Sequence, residues 1–463
     1  MARNLNMFTY LPTHIIIIII SFLPFKEAAR TSVLSKQWRN VWRATKSLEF
    51  NETSFVNQDE SVENQEVQRR SFLDFVRQWI MAYNEPIVEN FRLSFSRATN
   101  FPADVEKWIA FAIDHRVKSL SLDFSDPTWD EEGVENNRVA LFELPFYVYG
   151  HRILESLKLF SCKFQVSEFK NFSTLTSLSL GWVELTTPSL KAFLVGCPLL
   201  ETLSLKNCWN LEFLDISAPN LRLTSLVINK CFLDINSIII TAPKLRSLVY
   251  SGALCRFNFD GPHCMREAAL DFGFETEFIE WGDLLYDILR EICCVDVLTV
   301  CSYVLQVLPT GEEPLSLSPR MDVKHLILKT TMHENEFFGI SFLLKSCPYL
   351  ETLTIEILPG RIFEDYVPPY DFEAHTFWTQ NVLVFKCLQK TLKVVEIKGF
   401  KGTMNELRLL KYFITCGRAM KRLNLHISRE EGTDGGNIDL YFRNAQILKR
   451  FDKASKGMYV WIS

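Results

Sequence analysis

Six times between Val117 and Tyr250 the chain repeats one apolar spacing: Val117-Leu120-Leu122, Leu154-Leu157-Leu159, Leu175-Leu178-Leu180, Leu200-Leu203-Leu205, Leu223-Leu226-Ile228 and Leu245-Leu248-Tyr250. From the second copy to the sixth the steps are 21, 25, 23 and 22 residues. Wider-spaced copies follow at Val323-Leu326-Leu328, Leu350-Leu353-Ile355, Leu392-Val395-Ile397 and Met420-Leu423-Leu425. Alternation within each triplet predicts a short strand with one buried face. A near-constant period of this length predicts stacked units that share one continuous core. Residues 189–205, 342–355 and 409–425 each read as a short amphipathic helix, then a cysteine with a breaker, then the strand. Pro198, Pro219, Pro243 and Pro348 interrupt at matching positions, which excludes chance leucine periodicity in an all-helical chain. The expected class is α/β, a solenoid of parallel strands with helices on its convex side.

The period falls in the 20–29-residue range of leucine-rich repeats. With 48% hydrophobic residues in 463, disorder of the bulk is excluded. A net charge of −5 is too balanced for a nucleic-acid-binding chain. The 12 cysteines are scattered without a CxxC pair, and Cys293–Cys294 is adjacent, which suits neither zinc nor a disulfide framework. Reduced core thiols in the nucleus or cytoplasm are the expectation. Ile15–Ile20 begins the greasiest stretch, which is too short to cross a membrane and is followed by Pro24, Phe25, Lys26 and Glu27 rather than a small-residue cleavage site. Neither export nor a membrane partner is expected.

That stretch predicts helices. Pro12 suits a first helical turn, and Pro24 ends one helix and opens the next. Leu11, Ile15, Ile19 and Phe22 form one face; Ile16, Ile20 and Leu23 form a second. Ser35 is expected to N-cap a third helix carrying Trp38, Val41 and Trp42. Six basic residues against Glu27 alone give residues 11–46 a net charge of +5. A unit this small, greasy and basic rarely folds unaided, so it reads as a docking module for an acidic partner with an apolar groove.

Residues 8–50 resemble an F-box. The match is carried by Leu11-Pro12, Ile15-Ile16, Ile19, Ser21-Phe22-Leu23-Pro24, Lys26-Glu27-Ala28, Thr31 to Lys36, Trp38-Arg39 and Trp42. The chain departs from the family at Thr13 and His14, where acidic residues are usual, and at Ile17 and Ile18, where polar ones are. The resemblance implies docking to a Skp-type adaptor, and through it to a cullin–RING ubiquitin ligase. The implied adaptor-binding residues are Leu11, Pro12, Ile15, Ile16, Ile19, Phe22, Leu23, Pro24, Val33, Leu34, Ser35, Trp38 and Trp42. Polar residues 51–70 read as a linker, and residues 71–375 as the solenoid. Residues 376–463 resemble the FBD domain of plant F-box proteins, through Trp378, Cys387-Leu388, Leu392-Lys393, Val395, Ile397, Gly399-Phe400, Gly402, Glu406, Leu410-Lys411-Tyr412 and Leu423. Physically this end looks like further repeats plus a cap.

Strand residues between the leucines are expected on the concave surface. Lys158, Phe160, Ser204, Lys206, Asn229, Thr354 and Glu356 are the candidate contacts for a target protein. Acidic or proline-bearing loops are expected at 125–137, 309–319 and 359–372. No GxSxG, HExxH, GxxxxGK[ST] or GxGxxG occurs, and Cys255, His263 and Cys264 lack a fourth ligand, so neither catalysis nor a cofactor is expected. The whole reads as the substrate-recognition subunit of a Skp–cullin–F-box ligase. The alternatives are a protein-binding scaffold without a ligase and a small-ligand receptor built on the same solenoid.

Overall fold

A computed structural model describes residues 11–21, 23, 25–39, 41–126, 129, 141–218, 220–261, 264–275, 282–308, 319–363, 373, 375–380, 385–429 and 437–463. The chain divides into a first unit, residues 1–223 with 231–234, and a second, residues 224–230 with 235–463.

The first unit opens with helices. Pro12 O receives the amides of Ile15 and Ile16 and starts the helix Thr13–Ser21. The helix Phe25–Arg30 and a 3-10 turn Thr31–Val33 follow. Ile16 and Ile20, one turn apart, close a core with Ala28, Trp38 and Val41, while Leu11, Ile17, Ile19 and Trp42 pack at its margin. Gln37 ties the two ends of this segment by donating from Nε2 to Leu11 O at 2.7 Å. The expected third helix does not form. Lys36–Arg39 is a turn, Val41–Ala44 is a 3-10 helix, and the buried Ser35 Oγ makes no hydrogen bond, so it caps nothing.

Beyond it, parallel strands stack in exact chain order: Ser47–Asn51, Asn90–Ser94, Ser119–Asp123, Ser156–Phe160, Ser177–Gly181 and Thr202–Lys206. Register aligns Leu48, Phe91, Leu120, Leu157, Leu178 and Leu203 in one buried row. Phe50, Leu93, Leu122, Leu159, Leu180 and Leu205 make the next row. Each row is a continuous apolar column, the condition for a stack whose units cannot bury their own faces alone.

The expected linker at 51–70 is instead structured. Asn51 ends the first strand and caps the turn Glu52–Ser54 by accepting from Thr53 N. Ser61 caps the helix Val62–Ala82, accepting from Asn64 N. The polar first half of that helix faces water, and its one inward side chain there is charged: Arg69, which donates from Nε to Glu52 Oε1 at 2.9 Å. Glu52 also accepts from Ser96 N and Ser96 Oγ, so this buried pair is hydrogen-bonded on several sides.

The second unit continues the same logic with strands Ser225–Asn229, Ser247–Ser251, Glu267–Asp271, Val297–Val300, His325–Thr330, Thr352–Ile357, Val394–Phe400, Arg422–Ile427 and Tyr459–Ile462. Its buried column runs Leu226, Leu248, Ala268, Leu298, Leu326, Leu353, Val395, Leu423 and Val460.

Both units use one helix-to-strand corner. Helices Thr187–Gly196 and Phe337–Ser346 are followed by Cys197 and Cys347, whose amides bond back to Phe193 O and Leu343 O. Both thiols are fully buried. The third example shifts by one residue: Cys416 is the last residue of the helix Met404–Cys416, and Gly417 takes the corner, bonding to Phe413 O. Cys416 is therefore only half-buried, not the close-packed filler its neighbours provide.

Strand-to-helix corners carry buried carboxylates. Glu336 accepts from Thr330 Oγ1, Thr331 N and His333 N, and Glu406 from Lys401 N, Gly402 N and Thr403 Oγ1. Burial pushes both carboxyls above the usual range. Their protonation therefore favours the folded chain, a contribution present at acid pH and lost as pH rises through the raised values.

One contact tolerates only glycine. A Cβ on Gly339 would overlap the backbone of Leu305, in the neighbouring helix Ser302–Val307. Gly339→Ala is expected to destabilise the second unit by about 1–3 kcal/mol or more through overpacking, read from a urea titration.

Candidate functional site

The N-terminal helices build a surface from residues that their own core does not take. Of the implied contacts, Ile16 and Trp38 are 0% and 2% exposed and belong to the interior. Leu11, Ile19 and Trp42 line its margin, and Ile15 and Ser35 are half-buried. Pro12 is exposed, Leu23 is 37% exposed, and Val33 and Leu34 are 86% and 55% exposed. Phe22 and Pro24 lie outside the described residues. The implied contacts thus divide between the segment's own core and its outer face. Exposed Arg30, Lys36 and Arg39 flank Val33 and Leu34 in sequence. Two adjacent branched apolar side chains among cations form a candidate docking face for an acidic protein with an apolar groove.

This face is held by an aromatic seam. Trp42 lies 6.3 Å from Trp79 of the helix Val62–Ala82, and Trp79 stacks on Tyr83 at 5.0 Å and meets Phe50 of the first strand at 5.5 Å. Tyr83 donates its hydroxyl to Thr45 O at 3.1 Å. A cleft of about 270 Å³ runs along the seam between Trp42 and Tyr83.

The strand-face candidates fall in two units. In the first, Lys158 bonds Asp123 at 3.0 Å and sits 4.1 Å from the centre of the Phe160 ring, which itself covers Gly181. Ser204 and Lys206 are half-buried beyond it. In the second, Asn229 is half-buried and Glu356 pairs with Lys398 at 2.8 Å. Thr354 is not an open contact. It is 2% exposed, under the His325 imidazole, with a 2.9 Å hydrogen bond between Thr354 Oγ1 and His325 Nε2.

The sequence reading missed a polar chain on the later strands. Glu396 Oε1 lies 2.9 Å from His426 Nε2, and Ser463 Oγ lies 3.0 Å from His426 Nδ1, with half-exposed Trp461 against the imidazole. Glu396 and Ser463 lie 30 and 37 residues from His426 in sequence and meet it only across the stacked strands, so no local motif marks the set.

Burial raises the thiols: Cys197 and Cys301 to about 11, Cys255 and Cys387 to about 12. Such thiols are poor nucleophiles at neutral pH. Under brief native alkylation, exposed Cys264 and Cys294 should label first and these four only after unfolding, as peptide mass spectrometry will read. His263 of the weighed cluster lies outside the described residues, and Cys255 is buried where Cys264 is exposed. Among the described residues, no group of three or more His, Cys, Asp and Glu is placed to hold a metal ion, and no helix is long and apolar enough to cross a membrane.

The F-box domain model matches residues 8–50, and the model for the LRR domain of At1g61320/AtMIF1 matches residues 83–450, running well into the segment likened above to an FBD domain. At5g54820 of Arabidopsis thaliana, which carries an F-box/LRR-repeat name, is 37% identical over 457 residues, covering 96% of this chain and 95% of the relative. The F-box protein At3g62230 of the same plant is 36% identical over 420 residues, 89% of each chain. The N-terminal helices, the parallel repeat strands and these matches lead to one assignment: the chain belongs to the plant F-box/LRR-repeat protein family.

Proposed function

We propose that the chain is the substrate-recognition subunit of a Skp–cullin–F-box ubiquitin ligase, working in the nucleus or cytoplasm. The N-terminal helices dock to a Skp-type adaptor, and the repeat strands hold a target protein. The observation that carries this reading is the exposure of Val33 and Leu34 beside a completed core, since apolar side chains left outside a folded core await a partner. Burying a side chain of this size contributes roughly 1.5–3 kcal/mol. The aromatic seam from Trp42 to Phe50 adds the mechanical element: a docked adaptor would be joined to the first repeats through packed rings rather than a flexible tether. The chain itself makes and breaks no bond. It raises the local concentration of target lysines near a ubiquitin-charged enzyme. The segment 376–463 acts as an FBD-type end cap, with the strand Tyr459–Ile462 and the helix Ile438–Ile447 closing the last repeats.

Co-expression of the full chain with a Skp-type adaptor tests this reading. A soluble complex of one copy each, by light scattering, is the expected result. Soluble chain that elutes apart from the adaptor would contradict it.

A further inference from the structure

In the second unit, a cavity of about 320 Å³ opens at the carboxyl ends of four consecutive parallel strands. That volume is at the lower end of the range of small-molecule sites. Its walls are built rather than incidental. Gln306, fully buried, donates from Nε2 to Arg361 O at 3.1 Å and accepts from Phe363 N at 3.0 Å. This amide pins the backbone of one wall against the helix Ser302–Val307. The Phe363 ring in turn meets Tyr303 edge-on at 5.8 Å.

The charges in this cavity behave unlike those around it. Elsewhere along these and the following strands, Lys324, Lys393 and Lys398 each pair with a carboxylate within 2.8 Å. Lys329 and Arg361, which line the cavity, make no ion pair among the described residues. On the opposite side, Asp271 accepts from Gly273 N and Glu275 accepts from Leu254 N, so both carboxylates are held in place by backbone amides. Between them stands Tyr303, 4% exposed, whose hydroxyl has no hydrogen-bond partner. A buried hydroxyl without a partner costs free energy in the ligand-free chain, and an acceptor brought by a ligand recovers it.

We propose that this cavity binds a small organic acid that also carries hydroxyl or ammonium donors. Its carboxylate meets Lys329 and Arg361, its donors face Asp271 and Glu275, and an oxygen accepts from the Tyr303 hydroxyl. The body of the molecule packs against the contacting rings of Tyr303 and Phe363. This inference does not rest on the adaptor-docking reading, because every residue it uses lies in the second unit.

Calorimetric titration of the full chain with malate and, separately, glutamate tests it, against sodium chloride at matched ionic strength. Saturable binding of one or both is expected, and which one binds tells the hydroxy acid from the amino acid. Lys329→Met with Arg361→Met should weaken binding at least tenfold, about the value of one charge-assisted hydrogen bond. Tyr303→Phe should weaken it several-fold without lowering the melting temperature, since it removes an unpaired hydroxyl and leaves the packing. Heats no larger than those of sodium chloride for both acids, or binding that survives the paired substitution, would overturn the proposal.

Discussion

Val33→Asp with Leu34→Asp is expected to abolish capture of a Skp-type adaptor while leaving the melting temperature of the chain unchanged. Both side chains stand in solvent, so a carboxylate there costs the free chain little. In a complex, each substitution loses roughly 1.5–3 kcal/mol of apolar burial and adds a desolvated charge. The pair together should weaken the adaptor by about a thousandfold or more at 1.4 kcal/mol per decade. Trp38→Ala, by contrast, also ends adaptor capture, but by emptying the core that supports this face, at about 3–5 kcal/mol. Only the surface pair separates lost contact from lost fold, and surface plasmon resonance with a parallel thermal melt distinguishes the two.

Glu52→Ala should cost the first unit about 3–5 kcal/mol of stability. It leaves Arg69, 6% exposed, without its buried carboxylate and held on the carboxylate side by the part-exposed Glu66 at 2.9 Å, and it removes the acceptor for Ser96 N and Ser96 Oγ. Adding Arg69→Met to Glu52→Ala should recover a large part of that loss, because a buried ion pair replaced by apolar groups is often neutral. Urea titration of the single and double variants, followed by tryptophan fluorescence near Trp79, reads the difference. Equal stability of Glu52→Ala and the unaltered chain would mean that the pair is not buried in solution.

The strand leucines announced themselves because every repeat sets the same residues against the same neighbours: Leu120, Leu157 and Leu178 are in register and were legible as a column. The first two strands were not, because Phe50 and Phe91 stand where leucine is usual and Thr45 opens the first triplet. The helix Val62–Ala82 was unreadable for a different reason. Its decisive inward residue is Arg69, whose partner Glu52 lies 17 residues upstream, a pairing no local pattern encodes. In the N-terminal helical segment the apolar character was plain, yet six consecutive isoleucines offer an apolar residue on every helix face. Periodicity therefore could not choose the inward one. Ala28 and Trp38 make that choice, seating Ile16 and Ile20 in the core and leaving Val33 and Leu34 outside. Thr354 was misplaced because its cover comes from His325, on the adjoining strand.

Hydrogen–deuterium exchange of the full chain, with and without a Skp-type adaptor, puts the central claim to the most direct test. The account predicts slowed exchange at the amides of residues 31–39 when adaptor is added, with the buried strands of the second unit unchanged. Unaltered exchange across residues 31–39 at saturating adaptor would contradict it.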